Sequence, residues 1–101
     1  MIIVAGRVDL STSNLEEYRK AAIEMISASL HEQGCLDYSF AIDLVDNSVV
    51  HFFEKWKTLD DFLAHLNGPN TRNFRKQMAR LEIESTDLRI YEVDEERRVG
   101  G

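Results

Sequence analysis

The sequence predicts a single α+β domain of ferredoxin-like topology, with the element order β-α-β-β-α-β. Three observations lead to this prediction: stretches that alternate between apolar and polar residues, stretches with helical periodicity, and turn residues that separate them in this order. With 101 residues, the chain is long enough for one domain with one two-layer core. We therefore expect a four-stranded antiparallel sheet with the helices on one face.

The first two elements are a strand over residues 1–10 and the helix that follows it. Ser13 and Glu16 fit a capping box, in which a hydroxyl and a carboxylate bind the free backbone N–H groups at the start of a helix. Apolar residues then recur at helical spacing within residues 15–30. We expect Gly34 to end the helix, because glycine adopts the left-handed conformation found at many helix ends.

Two strands joined by a tight turn come next. Residues 36–44 alternate between apolar and polar side chains, which is typical of a half-buried strand. Asp46 and Asn47 form a turn pair, and residues 49–56 are the next strand. This order predicts a β-hairpin.

A second helical region and a last strand complete the domain. Thr58 followed by Asp61 is typical of a helix start. Gly68 and Pro69 interrupt this region, and proline is well suited to open the helical piece after it. We expect residues 83–93 to form the last strand.

Apolar residues fall on both faces of the predicted sheet. Val4 shares its face with Phe52 and Trp56, because side chains two residues apart point to the same side of a strand. Helices can cover only one of the two faces. The opposite face is also apolar, at Ile3, Ala5, Val49 and Phe53. A second copy of the chain, packed sheet against sheet, would cover it, so we predict a homodimer.

The composition argues against several partners and locations. The net charge is −6, from 12 Lys and Arg against 18 Asp and Glu, whereas nucleic-acid binding needs clustered cations. No apolar run has the length of a membrane span, and the N-terminus lacks the layout of a signal peptide. The single cysteine, Cys35, cannot form a disulfide within the chain, which fits a reducing compartment. We expect a cytoplasmic protein that binds neither nucleic acid nor membrane.

No pattern in the sequence predicts a metal ion or an organic cofactor. Cys35 has no Cys or His cluster beside it, and the chain contains neither a glycine-rich nucleotide fingerprint nor an HExxH motif. We expect residues 1–94 to form the one domain and residues 95–101 to form a charged tail.

Several segments resemble one known family in the right order and at the right spacing. They are residues 32–38 (EQGCLDY), residues 53–56 (FEKW), Phe62, residues 64–66 (AHL), and the stretch from Pro69 to Phe74. Together they resemble the antibiotic biosynthesis monooxygenase family, most closely its quinol-monooxygenase-like branch. The resemblance implies a dimeric α+β barrel with a substrate pocket between the sheet and the helices of each subunit.

The resemblance also implies an activity and a site. The activity would be cofactor-independent oxidation of a small aromatic quinol or anthrone by O2, in which the substrate itself supplies the electrons. His65 would be the catalytic base or the oxyanion donor. The substrate-binding residues would be Tyr38, Glu54, Trp56, Phe62 and Phe74.

The same side chains also have structural interpretations. His65 borders the apolar stripe of its helix and can satisfy a hydrogen bond with Glu54 or cap the helix end. Trp56 and the phenylalanines can be core residues. Glu54 shares its strand face with apolar residues, so its carboxylate needs a partner. His51 falls on the opposite face, where we expect it to be an interface residue.

Three other functions compete with this activity. Haem degradation in the family uses a histidine ligand where this chain has Arg75, a tryptophan where it has His65, and an asparagine that the first strand lacks, so we expect no haem chemistry. A non-enzymatic module that holds a small aromatic compound stays open, because it needs the same apolar slot. An isomerase of a small phosphorylated sugar also stays open. A basic helix stripe, normally a solvated face, allows it, at Arg72, Arg75, Lys76 and Arg80.

Overall fold

The computed structural model describes residues 1–11 and 15–100, and its elements follow the order β-α-β-β-α-α-β. The strands are β1 (Ile2–Leu10), β2 (Cys35–Ile42), β3 (Val49–Trp56) and β4 (Ile83–Glu92). The helices are α1 (Leu15–Ser29), α2 (Leu59–Leu66) and α3 (Pro69–Met78). The predicted ferredoxin-like α+β fold is confirmed, with the second helical region divided in two.

The four strands form one antiparallel sheet in the order β2-β3-β1-β4. The central pair is β1 with β3, in a register that places Ile2 opposite Trp56 and Val8 opposite Val50. Strand β4 lies at one edge, beside β1. The central position of β1 and β3 explains why they supply most of the buried strand residues.

The helices pack on the face of the sheet that carries the even-numbered residues of β1 and β3. Val4 and Trp56 pack there with Phe62 of α2 in one buried cluster. Val8 and Phe52 belong to a second cluster. We call this side the covered face and the other side the open face.

Helix α1 ends earlier than the sequence predicted. Its last residue is Ser29, and Gly34 lies beyond it in the turn that leads to β2, with a φ of 78°. A Cβ on Gly34 would lie 2.1 Å from Oδ2 of Asp61, so the glycine also permits a close approach to α2. Ser13, the predicted cap of α1, lies outside the described residues.

The start of β2 breaks the predicted alternation. The pairing with β3 shifts between Cys35 and Asp37, which is a bulge of one residue. Cys35 therefore packs against the core, whereas Leu36 is 55% exposed. The strand also ends at Ile42, before Leu44.

The predicted starts of α2 and α3 are confirmed. The Thr58 hydroxyl accepts a hydrogen bond from the backbone N–H of Asp61 at 3.1 Å, and Pro69 occupies the first turn of α3. The hairpin is confirmed as well, because β2 and β3 pair directly around a turn in which the Val49 N–H donates to the Asp46 carbonyl.

The open face is only partly apolar in a single chain. Phe53 is 36% exposed and Tyr91 is 50% exposed. Val49 is different. Its position in the alternation along β3 predicted that it lies on the uncovered face, yet it is only 2% exposed. Both backbone groups of Val49 also form hydrogen bonds with the β2–β3 turn, at Asp43 and Asp46.

Among the described residues, no helix combines the length and the apolar character that crossing a bilayer requires.

Candidate functional site

A cavity of about 340 Å³ lies between the helices and the covered face of the sheet. This volume lies in the range of small-molecule sites in proteins. Most of the side chains that line it are apolar or aromatic. The lining residues are Val8, Tyr18, Met25, Tyr38, Phe52, Glu54, His65, Leu66, Thr71, Phe74, Arg75, Met78, Ile83, Thr86 and Leu88.

His65 contributes a buried imidazole to this cavity. Its side chain is 2% exposed, and its Nδ1 lies 3.0 Å from Oε2 of Glu32 and 3.2 Å from Oε1. A carboxylate only accepts hydrogen bonds, so Nδ1 carries the ring proton when Glu32 is ionised. The Asn70 amide donates to the same carboxylate at 3.3 Å. Glu32 therefore fixes both the orientation and the tautomer of His65.

The other ring nitrogen of His65 lies among cavity-lining groups. Nε2 is 3.5 Å from Oγ1 of Thr71 and 3.8 Å from Oε1 of Glu54. The Thr71 hydroxyl donates its proton to the His65 carbonyl at 2.7 Å, so it has no second proton to offer Nε2. The lone pair of Nε2 is left available to a bound molecule.

Glu54 brings a second carboxylate to the cavity wall. It is 5% exposed, and the indole N–H of Trp56 donates to its Oε1 at 3.0 Å. This bond supplies the partner that a buried carboxylate needs. Burial raises the pKa of Glu54, against the smaller opposing effects of the Trp56 hydrogen bond and of His65.

The remaining aromatic residues divide into two groups. Tyr38 and Phe74 line the cavity. Trp56 and Phe62 are 0% and 4% exposed, outside the cavity lining, with ring centroids 4.6 Å and 6.3 Å from that of His65. These two side chains support the imidazole instead of forming a slot for a ligand.

Two tyrosine hydroxyls lie in this part of the core. Burial raises the pKa of both Tyr18 and Tyr38, so each hydroxyl stays protonated at neutral pH. The Tyr18 hydroxyl is buried and has no hydrogen-bond partner within residues 1–11 and 15–100. A buried polar group in that state calls for an explanation, such as a partner supplied by a ligand or a water.

Glu32, Thr71 and Tyr18 have no role predicted from the sequence. Glu32 is the first residue of the segment 32–38 that carries the family resemblance. That position was the only feature of the sequence that pointed to a role for it. Tyr18 lies on the apolar stripe of α1, where a tyrosine looks like any other core residue. Contacts across 33 residues of chain, such as that between Glu32 and His65, have no local pattern that reveals them.

Within the described part of the chain, no group of three or more His, Cys, Asp or Glu side chains is placed to hold a metal ion. Burial also raises the pKa of the Cys35 thiol, to about 11, so the thiol stays protonated at neutral pH.

The fold and this cavity define a class: a small α+β domain of ferredoxin-like topology with a histidine–carboxylate pair inside a largely apolar cavity. A family model described as "Antibiotic biosynthesis monooxygenase" matches residues 1–77. The chain belongs to the antibiotic biosynthesis monooxygenase family.

Solved structures from several organisms share the fold. A presumed antibiotic biosynthesis monooxygenase from Deinococcus radiodurans is 24% identical with a TM-score of 0.93, and the match covers 100% of both chains. One from Nitrosomonas europaea is 20% identical with a TM-score of 0.86, over 94% of this chain and 100% of that one. A Bacteroides thetaiotaomicron protein, described as a possible oxidoreductase, is 24% identical with a TM-score of 0.83, over 91% and 96%. At these identities the likeness shows the fold alone. No curated protein matches the sequence significantly.

Proposed function

We propose that this protein is a cofactor-independent monooxygenase that oxidises a small aromatic quinol or anthrone with O2. The observation that carries the proposal is the state of His65. Its Nδ1 is bound to Glu32 at 3.0 Å, and its Nε2 keeps a free lone pair in a cavity lined mainly by apolar side chains. This is the arrangement of a general base held by a carboxylate.

The chemistry begins with proton removal. Nε2 of His65 takes a proton from the substrate's hydroxyl or activated methylene group, and the Glu32 carboxylate stabilises the resulting imidazolium. The substrate anion then transfers one electron to O2, and the two radicals combine into a peroxide on a ring carbon. The His65 imidazolium returns its proton to the peroxide, and loss of water then leaves a new carbonyl, so one oxygen atom enters the product and the other leaves as water. All the electrons come from the substrate.

Tyr38 and the apolar walls have separate tasks in this scheme. The Tyr38 hydroxyl, protonated because its pKa is raised by burial, donates a hydrogen bond to the developing oxyanion. Phe52 and Phe74 line the same cavity and pack against the aromatic rings of the substrate. The apolar lining favours an aromatic substrate over a phosphorylated sugar, which would need many more polar partners.

We further propose that the protein acts as a homodimer joined through the open face of the sheet. The support is the exposed area of Phe53 and Tyr91 on that face. The folded domain would comprise residues 1–94 and the tail residues 95–101; Glu96 of the tail forms an ion pair with Lys55 on the open face. A cytoplasmic location stays a prediction from the single cysteine.

The decisive test is oxygen uptake with a panel of quinols and anthrones, comparing the wild type with His65→Ala. Removing a general base lowers turnover by about 10²–10⁴-fold. The matched control is His31→Ala, which removes an exposed histidine that does not line the cavity and leaves turnover unchanged. Equal turnover in wild type and His65→Ala would remove the assigned role. Binding of the panel without any oxygen uptake by the wild type would instead favour a non-enzymatic binding module.

A further inference from the structure

The basic residues of the predicted helix stripe do not form a uniform solvated face, and Arg80 lies beyond the end of α3 at Met78. Arg75 lines the cavity that His65 also lines. Arg72 instead donates to the Asn67 carbonyl at 2.6 Å, and Arg80 lines a separate hollow beside α1. Lys76 is exposed and is not part of the cavity lining. The structure thus separates Arg75 from its neighbours along the helix.

Arg75 is exposed, and its guanidinium has no partner among the residues that the structure describes. It forms no hydrogen bond or ion pair with any of the described residues, and α3 itself contains no acidic residue. Because Arg75 both lines the cavity and is exposed, it lies at the mouth. A ligand made only of neutral rings would displace water from the N–H groups of the Arg75 guanidinium without offering them another acceptor, which is unfavourable.

We propose that the substrate is an aromatic acid, whose carboxylate pairs with Arg75 at the mouth while its hydroxylated ring reaches His65. The planar donors of a guanidinium match the two oxygens of a carboxylate. The protein carries a net charge of −6, so it repels anions at a distance, and a local cation at the mouth offsets that repulsion. The inference rests on the proposed function for the orientation of the ring.

Binding of a matched pair of stable compounds tests this substrate class directly. The pair is 6-hydroxy-2-naphthoate and 2-naphthol, which differ only by a carboxylate at the end of the ring system away from the hydroxyl, and the measurement is isothermal titration calorimetry. The wild type binds the acid about tenfold to a hundredfold more tightly than the naphthol, as expected for a charge-assisted hydrogen bond. Arg75→Gln removes this preference and leaves the affinity for the naphthol unchanged. Arg75→Lys keeps the charge without the planar donors. Its preference for the acid lies between that of the wild type and that of Arg75→Gln.

The control is Lys76→Gln, which makes the same change of net charge on the same helix. It leaves the affinity for both compounds unchanged. Equal affinity of the wild type for acid and naphthol overturns the inference, and so does an equal loss of acid binding in Lys76→Gln and Arg75→Gln. Thermal unfolding of each variant verifies that it is folded.

The test separates this inference from the proposed activity. Oxygen uptake with carboxylate-bearing quinols that depends on His65 but shows no dependence on Arg75 supports the monooxygenase and overturns the aromatic acid. Acid binding that depends on Arg75, without oxygen uptake for any quinol, supports the acid-binding site and overturns the monooxygenase.

Discussion

A histidine bound to a carboxylate lies on each side of the sheet, and the two pairs differ in surroundings more than in geometry. On the open face, Nε2 of His51 lies 2.8 Å from Oδ1 of Asp43, and the histidine side chain is 46% exposed. On the covered face, Nδ1 of His65 lies 3.0 Å from Glu32, and the histidine side chain is 2% exposed. The shorter contact belongs to the exposed pair. Burial, and not distance, therefore distinguishes the two histidine–carboxylate pairs, because water and salt weaken an exposed pair much more than a buried one.

Carboxylates near the two histidines also respond in opposite ways. The hydrogen bond from His51, with two backbone N–H groups of the turn, lowers the pKa of Asp43 to about 2. Burial raises the pKa of Glu54, although His65 lies 3.8 Å away. The neighbouring residue type is the same, so the environment decides which protonation state is favoured. Burial on the covered face favours the neutral form of Glu54, whereas the hydrogen bonds of the open face favour the ionised form of Asp43.

The largest expected effect concerns the open face. Phe53→Asp places two unpaired carboxylates in the proposed dimer interface and weakens the dimer at least about a hundredfold, because a buried charge needs a partner. Size-exclusion chromatography with light scattering measures the change. Leu63→Asp is the control, because Leu63 on α2 is 41% exposed, close to the 36% of Phe53. A dimer that tolerates Phe53→Asp, or a monomeric wild type, contradicts the proposed interface.

The next effect concerns the carboxylate behind His65. Glu32→Gln lowers kcat by about 10–100-fold, because the glutamine amide can donate to Nδ1 and so select the wrong tautomer. The pH–rate profile changes with it, whereas a variant damaged only in folding keeps the shape of its profile. Asp43→Asn, the corresponding change on the open face, leaves kcat unaltered. If both variants behave alike, the two pairs do not differ in function.

A smaller effect is expected in the dependence of stability on pH. The folded-state pKa of Asp43 lies below its ordinary value of 3.8, so its contribution to stability is present above about pH 4 and is lost as the pH falls towards about 2. Glu54 has the opposite sign: its raised pKa contributes stability below about pH 4.5 that is lost as the pH rises through the folded-state value.

Urea unfolding at several pH values measures these two contributions. Asp43→Asn flattens the acidic limb between about pH 4 and pH 2, and Glu54→Gln removes the decline above about pH 4.5. Identical pH profiles for wild type and both variants contradict the opposite signs.

The smallest effect concerns the unpaired hydroxyl of Tyr18. Tyr18→Phe raises the free energy of unfolding by about 1 kcal/mol without ligand, because it removes a buried hydroxyl that has no partner among the described residues. Tyr91→Phe, at a position that is 50% exposed on the open face, changes it by less than about 0.5 kcal/mol. Chemical denaturation measures the free energy of unfolding of each variant. A lower value for Tyr18→Phe than for the wild type would mean that the hydroxyl has a partner.

Local patterns predicted most of the fold. The alternation over β3 placed Phe52, Glu54 and Trp56 on one face, and Thr58 marked the start of α2. The errors occurred where the backbone leaves its regular period. The bulge at Leu36 inserts one extra residue into β2, so the alternation of faces along the strand is shifted by one residue at that point. No residue type there signals the bulge.

The site was predicted less completely than the fold. Tyr38, Glu54, His65 and Phe74 were named from the sequence and line one cavity. Trp56 and Phe62 were named for the same cavity and instead pack against the His65 ring from outside its lining. A bulky aromatic in a small core serves as a wall or as a support, and sequence gives both the same pattern.

The sequence by itself determined which side of each strand and helix is apolar, because the periods of two and 3.6 residues follow from backbone geometry. Only the tertiary structure decided that Glu32 meets His65 across 33 residues, that Arg75 alone among the four cations of the predicted basic stripe lines the cavity with His65, and that Val49 is covered. These contacts depend on how α2, α3 and the turns are set against the sheet. That placement is fixed by the packing of the whole core and not by any one segment.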